Sequence, residues 1–425
     1  MGGVFMKKAL LILFSVFALV TVLICFAGCG FAKEKAGGFD APDTSCENEL
    51  NSDVTNELSK KGGAELRGVW LSCYEIETLC ASGSEKKYRE EVETVLEKLC
   101  ENKINTVFFQ ARAFCDALYY SEIFPDSVYV SGSAGKKAPF DSLKIFIEIA
   151  DKYGVAVHAW VNPFRVSYNG DINALPKDSP AVGLAGYDGA LIICSEGIYL
   201  NPADSRCRRL ILDGIRELVS GYGISGIHFD DYFYPDCEFD DTLLYKKYKK
   251  EGGTLSVADW RRANVSDFIS SVYSLVKEQN AHLVFGISPE ASVERCRERL
   301  FADVEKWCGC EGYIDYIMPQ LYFGFENENA PFCRLALEWS QTVNADCVEL
   351  MCGLAVYKCG RTDKNAGSGA REWAVNSDIL ARQYDFLKKN GVYSGFCLFS
   401  YSFAFGKNVN DNSDTELKML SDMLK

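Results

Sequence analysis

From residue 65 onward, short apolar runs alternate with stretches of helical periodicity. Eight runs occur in order, at 66–72, 104–112, 155–162, 226–231, 282–289, 314–323, 348–357 and 393–402. Each is short and reads as buried on both faces, as parallel strands require. Between them Tyr88, Val92, Val95 and Leu99 recur at helical steps, as do Ile211, Ile215, Leu218 and Tyr222, and Leu300, Val304 and Trp307 continue the rule. Gly154 and Gly391 follow helical patterns, where a left-handed residue ends a helix. Residues 415–425 read as the last helix. Eight such repeats predict one α/β domain over residues 65–425, a (β/α)8 TIM barrel with a closed parallel sheet.

Strand parity then sorts the polar residues, because alternate side chains share a face. Phe108, Gln110 and Arg112 fall together, as do His158, Trp160 and Asn162, then His228 and Asp230. Gly286, Ser288 and Glu290 form the next set, and Met318, Gln320 and Tyr322 the last. The opposite faces are apolar or small (Val107, Phe109, Ala111; Val157, Ala159, Val161). Polar groups therefore gather at the C-terminal ends of five strands, flanked by long loops at 163–200 and 232–258. That is the end where barrels build their sites. Each buried polar group costs roughly 1–3 kcal/mol unless satisfied, so the cluster predicts a wet pocket. The competing explanation is an internal hydrogen-bond network that binds nothing.

The segment 226–235 (GIHFDDYFYP) ends a strand with two carboxylates and runs into the aromatics Tyr232, Phe233 and Tyr234. Paired carboxyls are the tools of glycoside hydrolysis: one protonates the leaving oxygen, another stabilises or attacks the sugar carbon. Aromatic rings stack on sugars, and His, Asn, Gln and Arg hydrogen-bond their hydroxyls. Parity points Asp230 inward and Asp231 outward unless the chain bends there. Like charge between them raises one pKa. Candidates for the second carboxyl are Asp231, Asp116 and Glu290, with Glu75 and Glu77 weaker. Asn201 before Pro202 reads either as a helix N-cap or as a sugar contact.

The 425 residues carry 45 Lys plus Arg against 59 Asp plus Glu, a net charge of −14. A nucleic-acid partner needs a basic surface and is not expected. The apolar stretch 9–27 after Lys7 and Lys8 ends in Phe26-Ala27-Gly28-Cys29, which resembles a bacterial lipobox. Residues 1–28 are thus expected to be a lipoprotein signal peptide, with Cys29 lipidated and anchored to the membrane. Residues 29–64 are polar and read as a disordered tether. The 18 Cys include no CxxC pair, and with three His there is no zinc-type spacing. Buried free thiols are expected, with no metal. No phosphate loop or dinucleotide fingerprint implies a cofactor.

Several segments together resemble the bacterial glycosyl-hydrolase-like family 10. They are 65–70 (ELRGVW), 104–112 with Asp116 and Ala117, 157–165 (VHAWVNPFR), 199–202 (YLNP), 226–235, 259–264 (DWRRAN), 285–289 (FGISP) and 314–322 (IDYIMPQLY). The resemblance implies a surface lipoprotein that cleaves peptidoglycan glycan strands, particularly strands stripped of stem peptides. After Pro289 this chain departs from the family, with Glu290-Ala291-Ser292 and a shortened loop, so a fixed role for Glu290 does not carry over. The expected function is hydrolysis of an N-acetylated cell-wall glycan. Asp230 leads, and Gln110, Arg112, His158, Trp160, Asn162, Arg165, Asn201, His228, Tyr232, Tyr234, Gln320 and Tyr322 bind the polysaccharide. A glycan-binding lipoprotein without turnover, and a glycosidase for another extracellular polysaccharide, are the alternatives.

Overall fold

A computed structural model describes residues 65–424. The expected signal peptide, Cys29 and the tether lie outside the described residues. Eleven strands are described: β1 (Leu66–Leu71), β2 (Thr106–Arg112), β3 (Ala156–Val161), β4 (Arg165–Ser167), β5 (Leu191–Cys194), β6 (Gly197–Leu200), β7 (Gly226–Phe229), β8 (Val284–Ile287), β9 (Tyr316–Ile317), β10 (Glu349–Leu354) and β11 (Tyr393–Leu398). Eight close a parallel barrel in the order β1-β11-β10-β9-β8-β7-β3-β2. These are the eight apolar runs, one for one. Closure is made by β1, whose Leu66 to Val69 align with Gly395 to Leu398 of β11.

The two faces of each strand separate as their parity requires. Val107, Phe109, Val157, Ile227, Phe285 and Ile287 join the layer packed under the helices. Trp70, Phe108, Trp160, Tyr316, Met318, Met351 and Cys397 fill the barrel. The helix Glu85–Glu101 buries Tyr88, Val92, Val95 and Leu99 as their spacing dictates. Gly154 and Gly391 end their helices at φ 67° and 77°, values that a Cβ would strain.

Four local expectations need correction. The helix Ser205–Gly221 stops one residue short of Tyr222, whose backbone is extended. Leu300 lies outside any helix, between Val293–Glu298 and Val304–Gly309. The last helix is Asp411–Met423, starting before residue 415 because Asn410 and Ser413 form a capping box. The loop after β3 contains a small antiparallel sheet, β4-β6-β5. The fifteen described cysteines are free thiols, ten of them buried.

Candidate active site at the C-terminal rim

The barrel interior beneath the rim is polar in one place. The Trp70 indole donates to His228 Nε2 at 3.2 Å. Indole can only donate, so His228 carries its proton on Nδ1, 2.9 Å from the Tyr316 hydroxyl. That hydroxyl in turn donates to His158 Nδ1 at 3.2 Å. The series Trp70, His228, Tyr316, His158 therefore runs in one direction with both imidazoles neutral. Burial supports this: it lowers His158 to about 4, and burial followed by the nearby His158 lowers His228 well below the usual imidazole value. The two histidines lie among the side chains that fill the barrel, engaged by protein groups. Trp70 and Tyr316 were absent from the expected site. Parity could have found them, since Tyr316 shares a face with Met318.

Asp230 stands above this floor. The Trp160 indole donates to its Oδ2 at 3.0 Å, while Oδ1 is buried without a partner. Burial first, then the charge of Asp231, raises its pKa to about 8, against the pull of Trp160 and Arg165. The strand ends at Phe229, and the chain bends at Asp231. That bend overrides parity: Asp231 comes within reach of the Gln320 amide and Arg165, and sits at about 6, raised by burial. Asp116 is also raised to about 6 by burial, opposed by Ser127 and Arg112. The Arg112 guanidinium feels both Asp116 and Asp230. It donates to the carbonyls of Asn162 and Pro163, and its Nε is buried and unbonded.

Glu290 is engaged from one side. Both of its oxygens accept from Arg295 Nε at 2.8 and 2.9 Å, and Arg295 also holds Asp236. Burial still raises Glu290 to about 7. Gln110 accepts from the Cys73 amide, Gln320 donates to the Ser288 carbonyl, and Asn162 Oδ1 caps the turn to Arg165. Tyr322 packs edge-on to Tyr357. Arg165 lies over the ring of Tyr232.

Two expected contacts sit elsewhere. Asn201 is fully buried, donating to the Gly189 carbonyl and accepting from the Ala203 amide. It fixes a turn, and the helix that follows is capped by Asp204 instead. Tyr234 is buried against Phe239 and Phe301, in the packing behind the rim. Of the weaker carboxyls, Glu77 is exposed, and Glu75 is a buried clamp. It accepts from Ser72 N and Oγ at the end of β1 and from Ser400 Oγ and Ser402 N after β11.

Comparison with known proteins agrees with this architecture. The family described as glycosyl hydrolase-like 10 matches residues 65–369. The glycosyl hydrolase DigH of Escherichia coli K12 is 30% identical over 376 residues, 80% of this chain and 84% of DigH. The glycosyl hydrolase YngK of Bacillus subtilis is 33% identical over 353 residues, 78% of this chain and 68% of YngK. Among solved structures, the PgaB (BpsB) glycoside hydrolase domain of Bordetella bronchiseptica shares the fold with a TM-score of 0.59 at 14% identity, over 84% of this chain and 99% of that one.

Proposed function

Because the chain belongs to the glycosyl hydrolase-like 10 family, we propose that it is a cell-surface glycoside hydrolase acting on an N-acetylated cell-wall glycan, with Asp230 as general acid. One observation carries this: Asp230 pairs a raised pKa of about 8 with an unpartnered, buried Oδ1. A carboxyl with that pKa keeps its proton at pH 7. Trp160 occupies Oδ2 as acceptor, so the proton resides on Oδ1, free to pass to a glycosidic oxygen. Asp231, ionised above about 6, supplies the negative charge that a developing oxocarbenium ion requires. The adjacent carboxyls thus divide the work by environment. Asp116 with Arg112, and Glu290 with Arg295, flank the pair as further candidates for activating water. The polysaccharide substrate follows from the family, and the surface location is supported by the apolar stretch ending at Cys29.

The test incubates the purified full chain with peptide-free glycan strands, intact sacculi and a panel of other polysaccharides, and counts new reducing ends. New ends are expected from the peptide-free strands. The Asp230→Asn protein is expected to bind them and to lose at least about 100-fold in rate, the usual share of a general acid. Binding without new ends from the unaltered protein would make it a receptor. Cleavage of non-wall polymers alone would move the substrate, and normal turnover by Asp230→Asn would remove that residue from the chemistry.

A further inference from the structure

The rim carries aromatic side chains that are only partly covered, most of them leaning on the core with one side. Tyr74 follows β1, Phe114 and Tyr129 follow β2, Tyr168 follows β4 and Tyr232 follows β7. All therefore belong to the face that holds the carboxylates. The core rings nearby are closed off, whereas these are half-buried or, for Tyr168, 37% exposed. They also touch in sequence. Tyr74 and Tyr129 meet edge-on at 5.4 Å, and Phe114 and Tyr168 at 4.8 Å. The Tyr129 hydroxyl bonds to that of Tyr74 and feels that of Tyr168. The Arg165 guanidinium is sandwiched between Tyr168 at 4.0 Å and Tyr232 at 4.4 Å. Arg165 is also among the charges acting on Asp230 and Asp231. The row is thus continuous with the acidic pair.

Two further observations bear on what this row holds. At its inner end Asp230 Oδ1, Asp116 Oδ1 and Arg112 Nε are buried without a hydrogen-bond partner, so the row begins beside polar groups that the protein itself leaves unsatisfied. At its outer end the backbone leading into Tyr168 is packed tightly against the small sheet. Gly197, at φ 117°, lies so close that a Cβ would stand 1.9 Å from the Ser167 carbonyl oxygen and 2.9 Å from the Tyr168 carbonyl carbon. That approach fixes the backbone, and the ring lies against Phe114 and Arg165, so it presents apolar area at reduced entropic cost. Pyranose rings offer matching C–H faces, and their hydroxyls suit the phenol edges.

We propose that Tyr232, Arg165, Tyr168, Phe114, Tyr129 and Tyr74 form a track for the sugar units on one side of the scissile bond. Its occupant is a linear pyranose chain running past the acidic pair, so the protein prefers long chains over short ones. This deepens the glycosidase reading and rests on it for the placement of the bond.

The experiment measures kcat/KM on glycan fragments of increasing length for the full chain, Tyr168→Ala, Phe114→Ala and the conservative Tyr168→Phe. The long-to-short ratio of kcat/KM is expected to fall about tenfold in each alanine variant, mainly through KM, and to return in Tyr168→Phe. An unchanged ratio in both alanine variants overturns the track. A parallel arm scores retardation of the same proteins in gels containing long peptide-free glycan. If the unaltered protein cleaves nothing but is retarded, and Tyr168→Ala is not, the hydrolytic reading fails while the track stands. Equal retardation of all variants overturns the track whatever the activity.

Discussion

Asp230 is the side chain whose ordinary ionisation the fold opposes most plainly among the rim carboxyls. Its pKa moves from 3.8 to about 8 on folding. Below pH 3.8 folded and unfolded chains both hold the proton. Between there and about 8 the unfolded chain releases it and the folded one does not, so stability falls as pH climbs through that window and then levels. Asp230→Asn keeps an acceptor for Trp160 and removes the ionisation that favours the unfolded chain at pH 7. It is expected to raise stability at pH 7 by more than about 1 kcal/mol, a gain that vanishes near pH 4. Unfolding measured at both pH values checks this, and equal or lower stability at pH 7 would contradict the assigned environment. Parity alone located Asp230, because the strand continues to the residue before it. It failed for Asp231, where the strand ends and the chain turns. It was silent on Asn201, whose partners Gly189 and Ala203 are set by the loop rather than by a repeat.

At the scale of elements, period-two burial is a strong signal and short irregular pairing a weak one. The barrel strands were legible because burial on both faces leaves little choice of residue. Strands β5 and β6 were not, although Ser195-Glu196 joins two four-residue apolar runs, since segments so short carry almost no period. Close packing between neighbouring strands was equally hidden. A Cβ on Gly286 of β8 would lie 2.2 Å from the Tyr316 ring carbons of β9. Gly286→Ala must therefore displace a ring whose hydroxyl serves both histidines. It is expected to destabilise the protein by about 1–3 kcal/mol, the usual cost of overfilling a core. The unfolding midpoint should drop with its denaturant dependence unchanged, and a neutral substitution would show that the ring has room to move.

Across the whole molecule, the family resemblance and the folding unit have different limits. The family match stops at residue 369, yet closure of the sheet needs β11 at Tyr393–Leu398. The ends are tied by side chains as well. Glu65 accepts from Tyr384 and pairs with Lys388, Arg67 donates to the Leu424 carbonyl, and Glu416 accepts from the amides of Ile379 and Leu380. A chain cut after residue 369 would leave the edges of β1 and β10 open. Such a chain is expected to lack a cooperative melting transition, as calorimetry would show, whereas one sharp transition would mean the barrel closes some other way. The series from Trp70 through His228 and Tyr316 to His158 has a consequence for the barrel as a conduit. It starts at an indole with no lone pair to capture a hydrogen ion, and both imidazoles resist taking one. The throat is thus uncharged at neutral pH, and it offers no imidazole that would store a hydrogen ion beneath Asp230.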